Sequence, residues 1–213
     1  MAPRRAAWRL GRWTAKAALG AWLEVPAAQV EILAAPDGAP EAWRDGARVP
    51  ASVSLSHRGD RGLAVVAGAP AVVGCDLELI EPRSAAFIRE WLAVPEQRLA
   101  SGGDEARQAL IANLIWTAKE AAAKVRRAGL RLDVRNAVVT LDDDSVTADG
   151  WSALQVQWGD GAPPTAGWWR AEQGWVMTIA AAPASETPPA AVSLSAKTPT
   201  TSGGVGDRCR PAR

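Results

Sequence analysis

Residues 104–127 read Asp-Glu-Ala-Arg-Gln-Ala-Leu-Ile-Ala-Asn-Leu-Ile-Trp-Thr-Ala-Lys-Glu-Ala-Ala-Ala-Lys-Val-Arg-Arg, the clearest helical run in the chain. Leu110, Leu114, Ala118, Ala121, Ala122 and Val125 recur on one side at helical spacing, and Gly129 stands where the helix should stop. Upstream, residues 72–80 alternate as a strand does, and Pro82 ends the run. Two further β-like runs, 52–56 and 63–67, flank Arg58-Gly59-Asp60-Arg61-Gly62, a hairpin signal. Residues 30–33 form a short strand closed by the turn residues of Pro36-Asp37-Gly38-Ala39-Pro40. Before them, residues 6–23 read as a second helix, with Leu10, Trp13, Ala17 and Ala21 near helical spacing and Pro26 as its stop. Downstream of the long helix come β-like runs at 137–141, 153–158 and 175–180. Helix and short antiparallel strands thus occur twice, which predicts an α+β chain of two lobes.

Composition narrows the function. The 213 residues are 48% hydrophobic and 22% charged, enough for a real core in one domain or two small lobes. Lys and Arg total 24 against 23 Asp and Glu, so there is no global basic field for nucleic acid or an anionic membrane. Anion recognition has to be local. No apolar stretch approaches the roughly 20 residues of a membrane span, and the N-terminus lacks the apolar core of a secretory signal. The two cysteines, Cys75 and Cys209, sit in an apolar run and a polar tail, which argues against a disulfide and for a cytoplasmic setting. A single histidine excludes two-His metal motifs. The 11 tryptophans, with one Phe and no Tyr, read as core filling. From about Pro183 the chain turns to Pro, Ser, Thr, Ala and Gly without an apolar period, and the tail 184–213 is expected to be disordered.

Three segments carry chemistry. In Val73-Gly74-Cys75-Asp76-Leu77-Glu78 the strand period of two sends Asp76 and Glu78 to one face, where they can share a hard cation or a basic partner. In Trp116-Thr117-Ala118-Lys119-Glu120-Ala121-Ala122-Ala123-Lys124, residues 116, 120 and 124 are successive i+4 neighbours, which presents a carboxylate beside an ammonium. Lys119 points about 100° away from Glu120 and needs a separate role. In Ser54-Leu55-Ser56-His57-Arg58-Gly59-Asp60 a Ser-His pair ends a strand, and such a strand end can bind an anion. Arg5, Arg9, Arg12 and Lys16 add a cationic stripe along the first helix. Each feature also has a plain structural reading: an exposed strand face, a helix-stabilising Glu–Lys pair, a structural histidine, a solvated helix face.

Taken in order, Ser-Leu-Ser-His, Gly-Cys-Asp-Leu-Glu and Trp-Thr-Ala-Lys-Glu-Ala-Ala-Ala-Lys resemble the signature of the 4′-phosphopantetheinyl transferases, the larger single-chain type, over about residues 8–182. The resemblance implies two pseudo-symmetric lobes, each a small antiparallel sheet packed on a helix, at 1–73 and 74–183, with coenzyme A between them. It implies transfer of 4′-phosphopantetheine from coenzyme A to a serine of an acyl or peptidyl carrier protein, releasing adenosine 3′,5′-bisphosphate, in polyketide, nonribosomal peptide or fatty acid synthesis. Residue by residue, it implies Mg²⁺ held by Asp76, Glu78 and Glu120, and Lys124 on the diphosphate. Ser56 and His57 would lie near the 3′-phosphate, and Arg12 and Lys16 at the basic helix positions. Glu120 is the expected base, directly or through a metal-bound water, with Lys119 in reserve. A monomer is expected, because the small trimeric relatives build the cleft between subunits. The chain departs from the family pattern at Ala39, where many relatives place a lysine, and in an N-terminal lobe that begins almost at the Gly-Arg helix. Rival expectations are a non-catalytic relative that binds carrier proteins and a Mg²⁺-dependent diphosphate hydrolase acting on coenzyme A. Nucleic-acid binding through Arg4, Arg5, Arg9 and Arg12 is the weakest.

Overall fold

Residues 2–127, 132–147, 149–185 and 187–195 are described by a computed structural model. Its helices are α1 (Ala2–Trp22), α2 (Ala85–Trp91), α3 (Val94–Ala100) and α4 (Glu105–Val125). Its strands are β1 (Val30–Ala34), β2 (Pro40–Arg44), β3 (Ala47–Arg58), β4 (Arg61–Gly68), β5 (Val72–Leu79), β6 (Ala137–Val146), β7 (Ser152–Trp158), β8 (Thr165–Glu172), β9 (Trp175–Ala182) and β10 (Ala190–Ser195). They form two antiparallel sheets, in the orders β1-β2-β3-β4-β10 and β5-β9-β8-β7-β6.

The alternation along each strand sets the layering. In the first sheet, Val53 of β3 and Ala64 and Val66 of β4 pack on Ala15, Ala18 and Leu19 of α1. The opposite face of β4, Leu63 and Val65, meets Val73, Cys75 and Leu77 of β5 and Met177 and Ile179 of β9. The other face of the second sheet, including Leu154, Val156, Val176 and Ala180, is covered by Leu114, Ile115, Ala118, Ala121 and Ala122 of α4. Each sheet therefore carries one long helix, and the two sheets share a core between them.

The long helix takes Asp104 as its N-cap, whose carboxylate accepts the Arg107 N–H at 2.8 Å. Gly129, its expected stop, lies outside the described residues. Helix α1 ends instead on a non-glycine residue, Glu24 at φ 56°, with Val25 N–H on the Gly20 carbonyl at 2.8 Å and Glu24 N–H on Ala21 at 3.2 Å. Its buried stripe is Leu10, Thr14, Ala15, Ala18 and Leu19. This is rotated from the expected Leu10, Trp13, Ala17, Ala21 line, and Trp13 is 40% exposed. The hairpin between β3 and β4 closes on two residues, Gly59 and Asp60, with Gly59 at φ 57°.

Several elements escape a reading by period. Helices α2 and α3 have seven residues each, less than two full periods. Strand β2 buries only Ala42, so it shows no apolar alternation. The expectation of a disordered tail from 184 onward is corrected at Ala190–Ser195, which pairs antiparallel with β4 from Ala190↔Val66 to Ser195↔Arg61. An edge strand with unpaired N–H and C=O groups recruits such a segment through its backbone, whatever its composition. Residues 196–213, including Cys209, lie outside the described residues. Among the described residues, no helix is long and apolar enough to cross a membrane.

Candidate active site

Strand β5 is an edge of its sheet, and its free side rests on a row of serines. The even-numbered residues of β3 face it: Ser52 Oγ accepts the Val73 N–H at 3.1 Å, and Ser54 Oγ accepts the Cys75 N–H at 3.0 Å. One step further, Ser56 Oγ donates to Asp76 Oδ1 at 2.6 Å. Asp76 and Glu78 share the α4 side of β5 with Gly74, as the period of two requires. A Cβ at Gly74 would strike the Ala121 carbonyl oxygen, so glycine lets α4 lie directly on the strand. That approach brings Lys124 Nζ to the Cys75 carbonyl at 2.7 Å and to Asp76 Oδ1 at 2.9 Å.

Trp116, Glu120 and Lys124, successive neighbours on one face of α4, all line a cleft of about 1330 Å³ whose opposite wall is β3 and the β1–β2 turn. Burial pushes the Glu120 carboxyl upward, and Asp76 and Glu78 push it further against the pull of Lys124. Burial also raises Glu78, opposed by Arg58 and Arg83, whose guanidiniums lie 3.4 and 3.2 Å from Glu78 Oε2. For Lys124, burial alone favours the neutral amine, but Asp76 and Glu120 outweigh it and its pKa is raised. Lys124 is therefore an ammonium. Burial takes the Cys75 thiol up to about 12, which leaves it inert.

Among the described residues no group of three metal-ligating side chains stands in position to hold an ion. Asp76 is drawn to Ser56 and Lys124, and Glu78 to the two arginines. The donor set still fits a hard divalent cation. It is all carboxylate: Glu78 Oε2 is buried with only the two ion pairs and no hydrogen bond, and the Asp76 charge pushes the carboxyls of both Glu78 and Glu120 upward.

Lys119 is not part of this cluster. It is 0% exposed, with Nζ 2.7 Å from Glu96 Oε2 and donating to the Trp91 carbonyl at 2.9 Å. Glu96 also accepts the Ala93 N–H at 2.6 Å and the Val139 N–H at 2.7 Å. This buried hub ties α2, α3, α4 and β6 together, and it corrects the reserve role of Lys119 as a base: the side chain has no path to the cleft. Arg12 does line the cleft; Lys16 is half-buried and does not. His57 is exposed on the α1 side of β3, facing away from Ser56, where a Cβ at Gly11 would come within 3.0 Å of its ring.

Sequence reasoning missed several residues. Arg58 and Arg83 balance Glu78, Asn113 accepts from Arg83 Nε at 2.7 Å, and Glu96 holds Lys119. Arg48, Arg127 and Arg135 join Arg12 and Lys124 along the cleft. Arg127 reaches Asp37 of the β1–β2 turn with two hydrogen bonds, 3.0 and 3.1 Å, and this partner holds the Asp37 carboxyl below its usual range. Only the serines carried a signal, the alternation of Ser52, Ser54 and Ser56 at period two.

Fold and site together define a two-lobed α+β protein with an acid and lysine centre bordering a cleft rich in arginine. The 4′-phosphopantetheinyl transferase superfamily model, ACPS, matches residues 72–180, just over half of the chain and nearly all of the second sheet with α4. The chain belongs to that superfamily, and with it to the proteins with a general phosphopantetheinyl transferase role. Comparison with the curated proteins found no match.

Proposed function

We propose that this chain transfers 4′-phosphopantetheine from coenzyme A to a serine of an acyl or peptidyl carrier protein and releases adenosine 3′,5′-bisphosphate. The observation that carries the reading is the placement of Glu120 and Lys124 on one face of α4, open to the cleft, with Asp76 against Lys124. In this reading the carrier serine Oγ attacks the phosphorus that bears the pantetheine arm. The bond from that phosphorus to the bridging oxygen breaks, and the bisphosphate leaves with the electron pair. The serine proton passes to Glu120, whose raised pKa brings it nearer the range of an effective base. Lys124, kept charged by Asp76, meets the diphosphate, and the cleft cations for the remaining phosphate are Arg12 and, on exchange of their carboxylate partners Glu41, Asp37 and Asp133, Arg48, Arg127 and Arg135. Asp76, Glu78 and Glu120 would hold Mg²⁺, which when bound neutralises charge on the diphosphate. The family pattern implies a place near the 3′-phosphate for His57 and a basic helix position for Lys16, but neither side chain lines the cleft. Both walls of the cleft come from one chain, which supports action as a monomer; the contexts of Cys75 and Cys209 in the sequence support a cytoplasmic setting.

Intact-mass spectrometry of an apo carrier protein incubated with the chain, coenzyme A and Mg²⁺ tests this. A gain of about 340 Da, absent with Glu120→Ala and absent without metal, is expected. Carrier binding without mass gain would favour a docking protein instead, and free phosphopantetheine formed without any carrier would favour a hydrolase.

A further inference from the structure

The family pattern assigns Ser56 to the neighbourhood of the coenzyme A 3′-phosphate, together with His57. Geometry separates the two. Adjacent residues of a strand point to opposite faces: His57 looks toward α1, while Ser56 looks toward β5 and donates to Asp76 Oδ1 at 2.6 Å. Ser52, Ser54, Glu120 and Lys124 line the cleft; Ser56, Asp76 and His57 do not. Lys124 Nζ reaches the same oxygen, Oδ1, at 2.9 Å. Two charge-assisted hydrogen bonds therefore converge on one carboxylate oxygen, and among the described residues none reaches Oδ2.

We infer that Ser56 is a positioning residue for the metal ligand Asp76: with Lys124 it pins Oδ1 and so fixes the rotation that presents Oδ2 to a divalent cation. The inference rests on the metal reading given above. Ser56 is itself held by backbone. It ends the row in which Ser52 and Ser54 accept the Val73 and Cys75 N–H groups, so its hydroxyl is set by the register of one sheet against the other. Removing a partner that orients a ligating carboxylate typically weakens metal binding about 10- to 100-fold.

The test is Mn²⁺ binding to the chain alone, followed by electron paramagnetic resonance of the free ion, with thermal unfolding of each variant as a fold check. Wild type, Asp76→Asn, Ser56→Ala and Ser56→Thr are compared. The expected result is loss of binding in Asp76→Asn, binding about tenfold weaker in Ser56→Ala, and recovery in Ser56→Thr, which keeps the hydroxyl. A merely structural serine would lower the melting temperature without moving the Mn²⁺ titration. Should Ser56→Ala not fold, Ser56→Cys keeps the side-chain size with a much weaker donor and gives the same comparison. If Asp76→Asn loses the ion and the Ser56 variants keep wild-type affinity, the positioning role is overturned and the metal reading stands. If wild type and Asp76→Asn bind alike, the metal reading falls and the inference with it.

Discussion

Lys119 and Lys124 stand five residues apart on α4, about 140° apart around its axis, and each faces a carboxylate at under 3 Å. Their surroundings differ. The Lys119–Glu96 pair is dry, 0% and 1% exposed, and Glu96 has further bonds from two backbone N–H groups. In the Lys124–Asp76 pair, Lys124 lines the cleft and is 33% exposed. Desolvation and full satisfaction lock the first pair into the frame. Partial exposure leaves the second free to trade its partner for a phosphate oxygen. One short motif thus carries a structural lysine and a functional lysine, and only burial tells them apart.

Lys119→Ala breaks the dry pair most severely, because Glu96 is left charged and unpaired in the core. A loss of about 3–5 kcal/mol in urea unfolding is expected. A loss below about 1 kcal/mol would show that Glu96 finds water or a proton and that the hub is not rigid.

Gly74→Ala strikes the seat of α4 on β5, the contact that brings Lys124 to Asp76. Forcing backbone apart in a packed layer costs about 1–3 kcal/mol. Transfer should fall by more than the loss of folded protein explains, since Lys124 moves away from Asp76.

Lys124→Met reverses the balance. Stability should fall less than in Lys119→Ala, because Asp76 keeps the Ser56 hydroxyl and Lys124 is 33% exposed, while the transfer rate falls at least about 100-fold. Equal losses from Lys119→Ala and Lys124→Met in both measurements would erase the distinction.

Glu120→Gln gives the smallest and most pH-dependent shift. The folded carboxyl titrates above its ordinary 4.5 because burial and Asp76 disfavour the anion. The native state then holds more protons than the unfolded chain, so stability falls as pH rises from 4.5 through the folded value. The glutamine variant escapes this cost. In metal-free urea melts it should be more stable than wild type at pH 7, with the gain vanishing below 4.5. A gain that persists unchanged in acid would refute the assignment.

The legible parts of the site were those written at a fixed period. Asp76 and Glu78 fall on one face because strand residues alternate, and Trp116, Glu120 and Lys124 line the cleft because helix neighbours recur every four residues. Arg58, Arg83 and Glu96 were illegible, since their partners lie on other elements and no local rule joins residue 58 to 78 or 96 to 119. The same holds for Ala190–Ser195, a strand because β4 offers an open edge.

Local spacing alone determined the α+β class, the two long helices, the central strands and the set of acidic and basic side chains available for chemistry. Tertiary structure decided which of those charges is dry and which is wet. It turned Lys119 into a strut and Lys124 into a cleft cation, and it set Ser56 against Asp76. The reason is physical: period follows from backbone geometry, whereas dielectric and pairing depend on which distant surfaces are packed together.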